Sequence, residues 1–132
     1  MKILALDYGA ARTGVAVSDA TGTIARPLQV VERAASPAGL DEIARIVAEV
    51  GAQRVVVGLP LTLRGERGEQ ARETEEFVRA LREALDVPVE TYDERFTTTI
   101  AAGGPSGTAP EDARAAAHLL DSYLRWASAR NA

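Results

Sequence analysis

The segment Ile3-Leu4-Ala5-Leu6-Asp7-Tyr8-Gly9 decides the fold. Every position is apolar until Asp7 stops the run. With a period of two, Ile3, Ala5 and Asp7 share one face, and Leu4 and Leu6 share the other. A strand apolar on both faces belongs in the middle of a covered sheet. Asp7 therefore closes the strand on a buried face, where a carboxylate needs a cation or several donors. Gly9 lets the backbone turn sharply and lets a ligand come close. The competing reading is an ordinary aspartate that ends a strand and opens a turn.

Working outward, residues 14–18 (Gly-Val-Ala-Val-Ser) form a second short strand, and 19–22 (Asp-Ala-Thr-Gly) are a turn signal. Residues 23–32 are a third strand whose Pro27 implies an edge or a bulge. These three strands read as an antiparallel meander. A helix then opens at Ser36-Pro37, carries apolar positions at Leu40, Ile43, Ile46, Val47 and Val50, and stops at Gly51. Residues 54–58 are a buried strand, 59–68 a Gly- and Arg-rich loop, and 69–85 an amphipathic helix with Phe77, Val78, Leu81 and Leu85 inward. A fifth strand spans 87–92, and a turn or short helix spans 96–102. The stretch 103–108 is a linker. Thr108-Ala109-Pro110-Glu111 resembles a capping box for a last helix that runs to about residue 128. The order is βββαβαβα. It predicts an α/β fold over 1–132 as one domain: a mixed five-stranded sheet, three strands in a meander and then two more, with helices on both faces.

Composition narrows the function. The chain has 132 residues, 46% hydrophobic and 26% charged, enough for one core without staples. It contains no cysteine, which removes disulfides and thiolate metal sites and suits a reducing compartment. The N-terminal apolar run is too short for a signal-peptide core or a membrane span, so a cytoplasmic protein with no membrane partner is expected. The net charge of −4 counts mildly against a nucleic-acid binder. A metal-dependent nuclease, however, must collect carboxylates at its centre.

In open α/β sheets function gathers at the carboxyl ends of strands. Three such ends carry polar groups or glycine here: Asp7, the Gly58-Leu59-Pro60 loop, and Asp93-Glu94-Arg95. Val89, Thr91 and Asp93 share a face, and Glu94 takes the other unless the strand has already ended. On the last helix Asp112 shares a stripe with Ala116, Leu119 and Tyr123. Asp121 lies about half a turn round from Asp112 and is expected to be solvated. The bland readings are a surface charge cluster at 93–95 and a dipole-stabilising Asp112. If Asp7, one of Asp93 and Glu94, and Asp112 converge, they would suit one or two Mg²⁺ or Mn²⁺ ions, hard cations that prefer oxygen. Gly9 and Gly14 have P-loop spacing, but Val15 and Ala16 stand where Lys and Ser/Thr belong. His118 is the only histidine and reads as a half-buried packing residue, so a histidine zinc site or a Ser-His-Asp triad has no support.

The ordered set of Leu6-Asp7-Tyr8-Gly9 with Arg12-Thr13-Gly14, Val57-Gly58-Leu59-Pro60-Leu61 with Gly65, Asp93-Glu94-Arg95-Phe96-Thr97-Thr98, and Asp112 with Ala115-Ala116, Leu119-Leu120 and Tyr123-Leu124 resembles the YqgF family of pre-16S ribosomal RNA nucleases, also called Holliday-junction-resolvase-like proteins. The resemblance implies an RNase H-like fold and divalent-metal-dependent cleavage of pre-16S rRNA or of branched DNA such as Holliday junctions. It implies an acidic site of Asp7, Asp93 and Glu94, and Asp112, with the choice between Asp93 and Glu94 open. Arg12 and Arg95 would contact phosphate, and Thr97 and Thr98 would add hydroxyls. The family's longer segment before the last helix, often with a lysine, is here the short lysine-free 103–108. Symmetric junction cleavage needs a homodimer, whereas trimming an RNA end does not, so monomer and homodimer are both open. Two other classes remain open: a non-catalytic rRNA- or ribosome-binding module, and half of an actin-like nucleotide-binding enzyme, whose first phosphate motif Asp7-Tyr8-Gly9 also resembles.

Overall fold

Alternation along the first strand, β1 (Ile3–Asp7), divides the protein into layers. Leu4 and Leu6 enter one core with residues of the first two helices, and Ile3 and Ala5 enter a second core beneath the last helix. The structure, a computed structural model, describes residues 1–97 and 109–131, with Asn131 described by its backbone alone. The elements are β1, β2 (Arg12–Ser18), β3 (Ala25–Glu32), α1 (Pro37–Val50), β4 (Arg54–Leu59), α2 (Glu69–Ala84), β5 (Val89–Asp93), a 3-10 turn (Glu94–Phe96) and α3 (Glu111–Asn131). The sheet order is β3-β2-β1-β4-β5. β1 pairs antiparallel with β2 and parallel with β4, and β4 pairs parallel with β5. The mixed sheet and the order βββαβαβα expected from the sequence are both present.

Local chemistry explains the boundaries. Pro27 sits on the edge strand β3 and beside a register shift, so both of its expected consequences occur together. β3 starts two residues later than expected because Asp19 closes a loop: its carboxylate accepts from the Thr23 and Ile24 amides at 2.8 and 3.0 Å and from the Thr21 hydroxyl. Those bonds hold the Asp19 carboxyl far below the usual carboxylate range. Ser36 caps α1 by accepting from the Gly39 amide at 3.0 Å, and Gly51 ends it in the left-handed conformation. The 3-10 turn comes earlier than the turn expected at 96–102, most of which lies outside the described residues, as does Thr108 of the expected capping box. α3 starts at Glu111, with the Pro110 carbonyl accepting from the Arg114 amide at 3.0 Å. No described helix is long and apolar enough to cross a membrane.

Since β1, β4 and β5 run parallel, their carboxyl ends lie at one edge of the sheet. α1 and α2 cover one face, with Phe77 and Leu81 of α2 fully buried, and α3 covers the other through Ala116, Leu119, Leu120 and Tyr123. Asp7, in step with Ile3 and Ala5, thus stands on the α3 side of the sheet, at the edge where the start of α2 also approaches.

Candidate active site

Asp7 and Glu94 meet in hydrogen-bond contact where β1 and β5 end. Neither carboxylate takes part in an ion pair among the described residues. Burial raises both above their ordinary values; their contact then raises Glu94 further and offsets part of the rise at Asp7. Glu94 is pushed up to about 7, first by burial and then by its contact with Asp7. The pair therefore keeps a proton well above the range in which a free carboxyl gives it up.

The end of β5 settles which acid faces inward. Asp93 caps the 3-10 turn by accepting from the Arg95 amide at 2.9 Å. The Arg95 guanidinium grips the same carboxylate with Nη2 at 2.6 Å and Nε at 3.0 Å. That clamp pulls the Asp93 carboxyl below its usual range. Strand alternation favours Asp93 for the site, but alternation fails where the strand tightens into the turn. Glu94 reaches Asp7 instead, and Asp93 is committed to Arg95.

Asp112 completes the acidic set only in part. It stands in the first turn of α3, close enough to raise the Asp7 carboxyl through repulsion, the least of the three influences on that group. Its side chain is 41% exposed and lies 3.5 Å from Arg12 Nε. Among the described residues no three His, Cys, Asp or Glu side chains lie close enough together to hold one ion. The expected convergence of three carboxylates is therefore a contacting pair with a third at its rim, because Asp112 turns to the solvated Arg12.

Two glycines make the pair possible. Gly58 sits one register position before Leu59, which faces Asp93, and a Cβ at Gly58 would lie 2.6 Å from Glu94 Oε1. Gly14 pairs with Asp7, and a Cβ there would overlap the Asp112 carbonyl. Small residues at these positions let the Glu94 side chain cross the end of β4 and let α3 start against β2. Both glycines stand in the quoted motifs, but their role was not readable, since it depends on strand neighbours distant in sequence. A glycine inside a strand is the one signal that pointed to such close approach.

A cleft of about 310 Å³ opens on one side of the pair, walled by Tyr8, Pro60 and the start of α2 at Gln70, Glu73 and Thr74. Tyr8 stacks on Phe77 with ring centres 4.4 Å apart, which fixes that wall. On the other side a hollow is lined by Thr97, Ala115, His118 and Leu119. Thr97 ends the 3-10 turn, and its hydroxyl is buried without a partner among the described residues. His118 is half-buried, as expected, but it also borders the acidic pair. Arg12 is well exposed beside Asp112, whereas Arg95 is taken up by Asp93 and by the Leu63 carbonyl at 3.3 Å. Asp121 pairs with Arg125 on the solvated side of α3 at 3.2 Å. Thr98 lies outside the described residues.

Against known proteins, the chain matches at three levels. A family profile described as “RuvX: Holliday junction resolvase” matches residues 1–126. A Chloroflexus aurantiacus protein named “Putative pre-16S rRNA nuclease” is 50% identical over 99 residues, 75% of this chain and 65% of that protein, so the chain spans somewhat less than two thirds of that relative. A Rubrobacter xylanophilus protein of the same name is 44% identical over 130 residues, 93% of this chain and 91% of that one. Among solved structures, Thermus thermophilus RuvC in complex with a Holliday junction substrate superposes with a TM-score of 0.69 at 19% identity, covering 97% of this chain and 95% of that one. A second Thermus thermophilus RuvC structure gives 0.59 at 16% identity, covering 97% and 96%. At such identities the structures establish the shared RuvC-like, RNase H-like fold. The family follows from the profile and the two relatives: this chain belongs to the RuvX family, described as Holliday junction resolvase.

Proposed function

We propose that this chain is one RNase H-like nuclease domain over residues 1–132 that hydrolyses phosphodiester bonds in structured nucleic acid with the help of Mg²⁺ or Mn²⁺. The observation that carries the reading is the Asp7–Glu94 pair: two half-buried carboxylates in contact, with no cation paired to either among the described residues. Such an arrangement costs folding free energy, and fixed like charges in a cleft mark sites of function. The oxygen-only donors fit a hard divalent ion. Asp7 and Glu94 would hold it, with Asp112 as the third carboxylate nearby and Asp93 outside. Bound there, the ion would supply an activated water and stabilise the leaving oxygen of the phosphodiester.

The protein's own groups do the rest. Tyr8 and Pro60 shape the cleft that receives the strand, and Arg12 at its rim offers a guanidinium to phosphate once it leaves Asp112. Thr97 contributes a hydroxyl on the opposite wall. The names of the relatives point to pre-16S rRNA, with processing at its 5′ end as our reading, and the family description points to Holliday junctions. We take both as candidate substrates in the cytoplasm, one served by a monomer and the other by a homodimer.

A cleavage assay tests this. Pre-16S rRNA fragments and a four-way DNA junction are incubated with the protein across Mg²⁺ and Mn²⁺ titrations. Metal-dependent cutting that Asp7→Asn abolishes is the expected result. Undiminished cutting in excess EDTA, or by Asp7→Asn, would sink the reading.

A further inference from the structure

Leu63 is 95% exposed, the least covered of the large apolar side chains among the described residues. Isolated apolar side chains on a surface are ordinary. Leu63 differs in how firmly its backbone is held. The Thr62–Gly65 turn between β4 and α2 is closed by the Gly65 amide on the Thr62 carbonyl at 2.8 Å. Thr62 and Glu66 bracket it, with the Thr62 amide on the Glu66 carbonyl at 3.0 Å and the Glu66 amide on the Thr62 hydroxyl at 3.0 Å. From beneath, Arg95 Nη1 donates to the Leu63 carbonyl at 3.3 Å. Gly65 takes φ +81, and a Cβ there would lie 3.3 Å from that same guanidinium. The other edge of the guanidinium grips Asp93, the residue before Glu94. One arginine thus ties the turn to the end of β5 that delivers the catalytic carboxylate.

The tip also carries two exposed arginines, with the exposed Glu66 between them. Arg64 beside Leu63 is exposed and makes no ion pair among the described residues, and Arg67 is 66% exposed with a loose contact to Glu75 at 3.4 Å. An exposed aliphatic side chain on a hydrogen-bonded turn, with Arg64 beside it and the Pro60 wall of the cleft a few residues back in the chain, has the chemistry of a wedge. Such residues enter between base steps while nearby cations hold the phosphates. Unstacking is cheapest where the stack is already broken.

We propose that the Thr62–Gly65 turn is a wedge for interrupted duplexes. Leu63 enters the stack at a branch or helix end, Arg64 takes the adjoining phosphate, and Arg95 fixes the distance from that insertion to Glu94. Arg95 is then a positioning residue and not a phosphate contact. The proposal builds on the nuclease reading but can fail separately from it.

The test places 2-aminopurine at the branch point of a DNA junction and of an RNA junction, with an uninterrupted duplex as control. Binding is followed in the full-length Asp7→Asn protein, so that cleavage does not interfere. The expected result is a fluorescence rise on the branched molecules alone, retained by Leu63→Met and lost with Leu63→Ser. In the otherwise unaltered protein, Leu63→Ser lowers junction cleavage about tenfold, equivalent to about 1.4 kcal/mol, with an unchanged melting temperature. An equal rise with Leu63→Ser, or no rise from saturating Asp7→Asn protein, overturns the wedge. A rise that depends on Leu63, together with a protein that cuts nothing in either metal, keeps the wedge and overturns the nuclease. Absence of any binding overturns both.

Discussion

α3 meets the sheet through two polar clusters of opposite character. At its start, Asp7, Glu94 and Asp112 bring three acids towards one another, and the one cation that pairs with any of them among the described residues, Arg12, meets the outermost. Further along, Arg54 of β4, Glu90 of β5 and Tyr123 of α3 form a balanced set. Arg54 Nη1 donates to the Tyr123 hydroxyl at 3.1 Å and lies 3.5 Å from Glu90, and the Tyr123 hydroxyl donates to Glu90. The Tyr92 and Ser122 hydroxyls bond beside it at 2.9 Å. In the second cluster every charge has its opposite, so it serves the fold. The first is under-compensated, and fold stability gains nothing from that. Burial alone does not distinguish structural from functional polar groups; the sign of the neighbouring charges does.

Four substitutions test that contrast, beginning with the largest effect. Asp7→Asn should lower metal-dependent cleavage by more than about a hundredfold, beyond what outer-shell contacts usually cost, while the melting temperature holds or rises. A variant that loses activity only because it unfolds would make Asp7 structural, and the contrast would collapse. Gly58→Ala comes next. The added methyl should press on Glu94, costing about 1–3 kcal/mol by urea denaturation and lowering cleavage with it; unaltered stability and activity would show that Glu94 does not need that space. Tyr123→Phe should cost about 1 kcal/mol, the net worth of a hydrogen bond, with kcat and KM unchanged. A loss of activity larger than the loss of stability would place the second cluster in the mechanism.

The smallest effect concerns pH in the metal-free protein. Below its ordinary value of 4.5, Glu94 is protonated in both the folded and the unfolded chain. Between 4.5 and about 7 the folded chain keeps a proton that the unfolded chain has released, so stability falls as pH rises through this window. Glu94→Gln removes that penalty. In EDTA it should raise the melting temperature by roughly 3 °C at pH 8, after discounting for solvent screening, and by nothing measurable at pH 4. An equal gain at both pH values would show that packing, not ionisation, separates the two side chains.

Much of the placement of the candidate site's residues was legible in the sequence. Asp7 was found from the alternation of Ile3, Ala5 and Asp7, and Asp112 from a helical stripe, because both periods hold inside regular elements. Arg95 and Thr98 show where that approach stops. A guanidinium next to an acidic strand end reads equally as a phosphate contact and as an internal clamp, and only its bonds to Asp93 and the Leu63 carbonyl assign the clamp. Thr98 lies outside the described residues, so its role rests on the resemblance alone.

The sequence by itself determined the element order, the central place of β1 and the side of the sheet on which Asp7 stands, since these follow from local periodicity and turn chemistry. The choice of Glu94 over Asp93 belonged to the tertiary structure. A period of two describes an extended backbone, and this one tightens into a 3-10 turn after Asp93. Arg95 holds that turn through a carbonyl about thirty residues away, and Gly58 on a neighbouring strand leaves the room that Glu94 fills. Contacts at that sequence distance have no period to betray them, so only the folded chain could bring Glu94, and not Asp93, against Asp7.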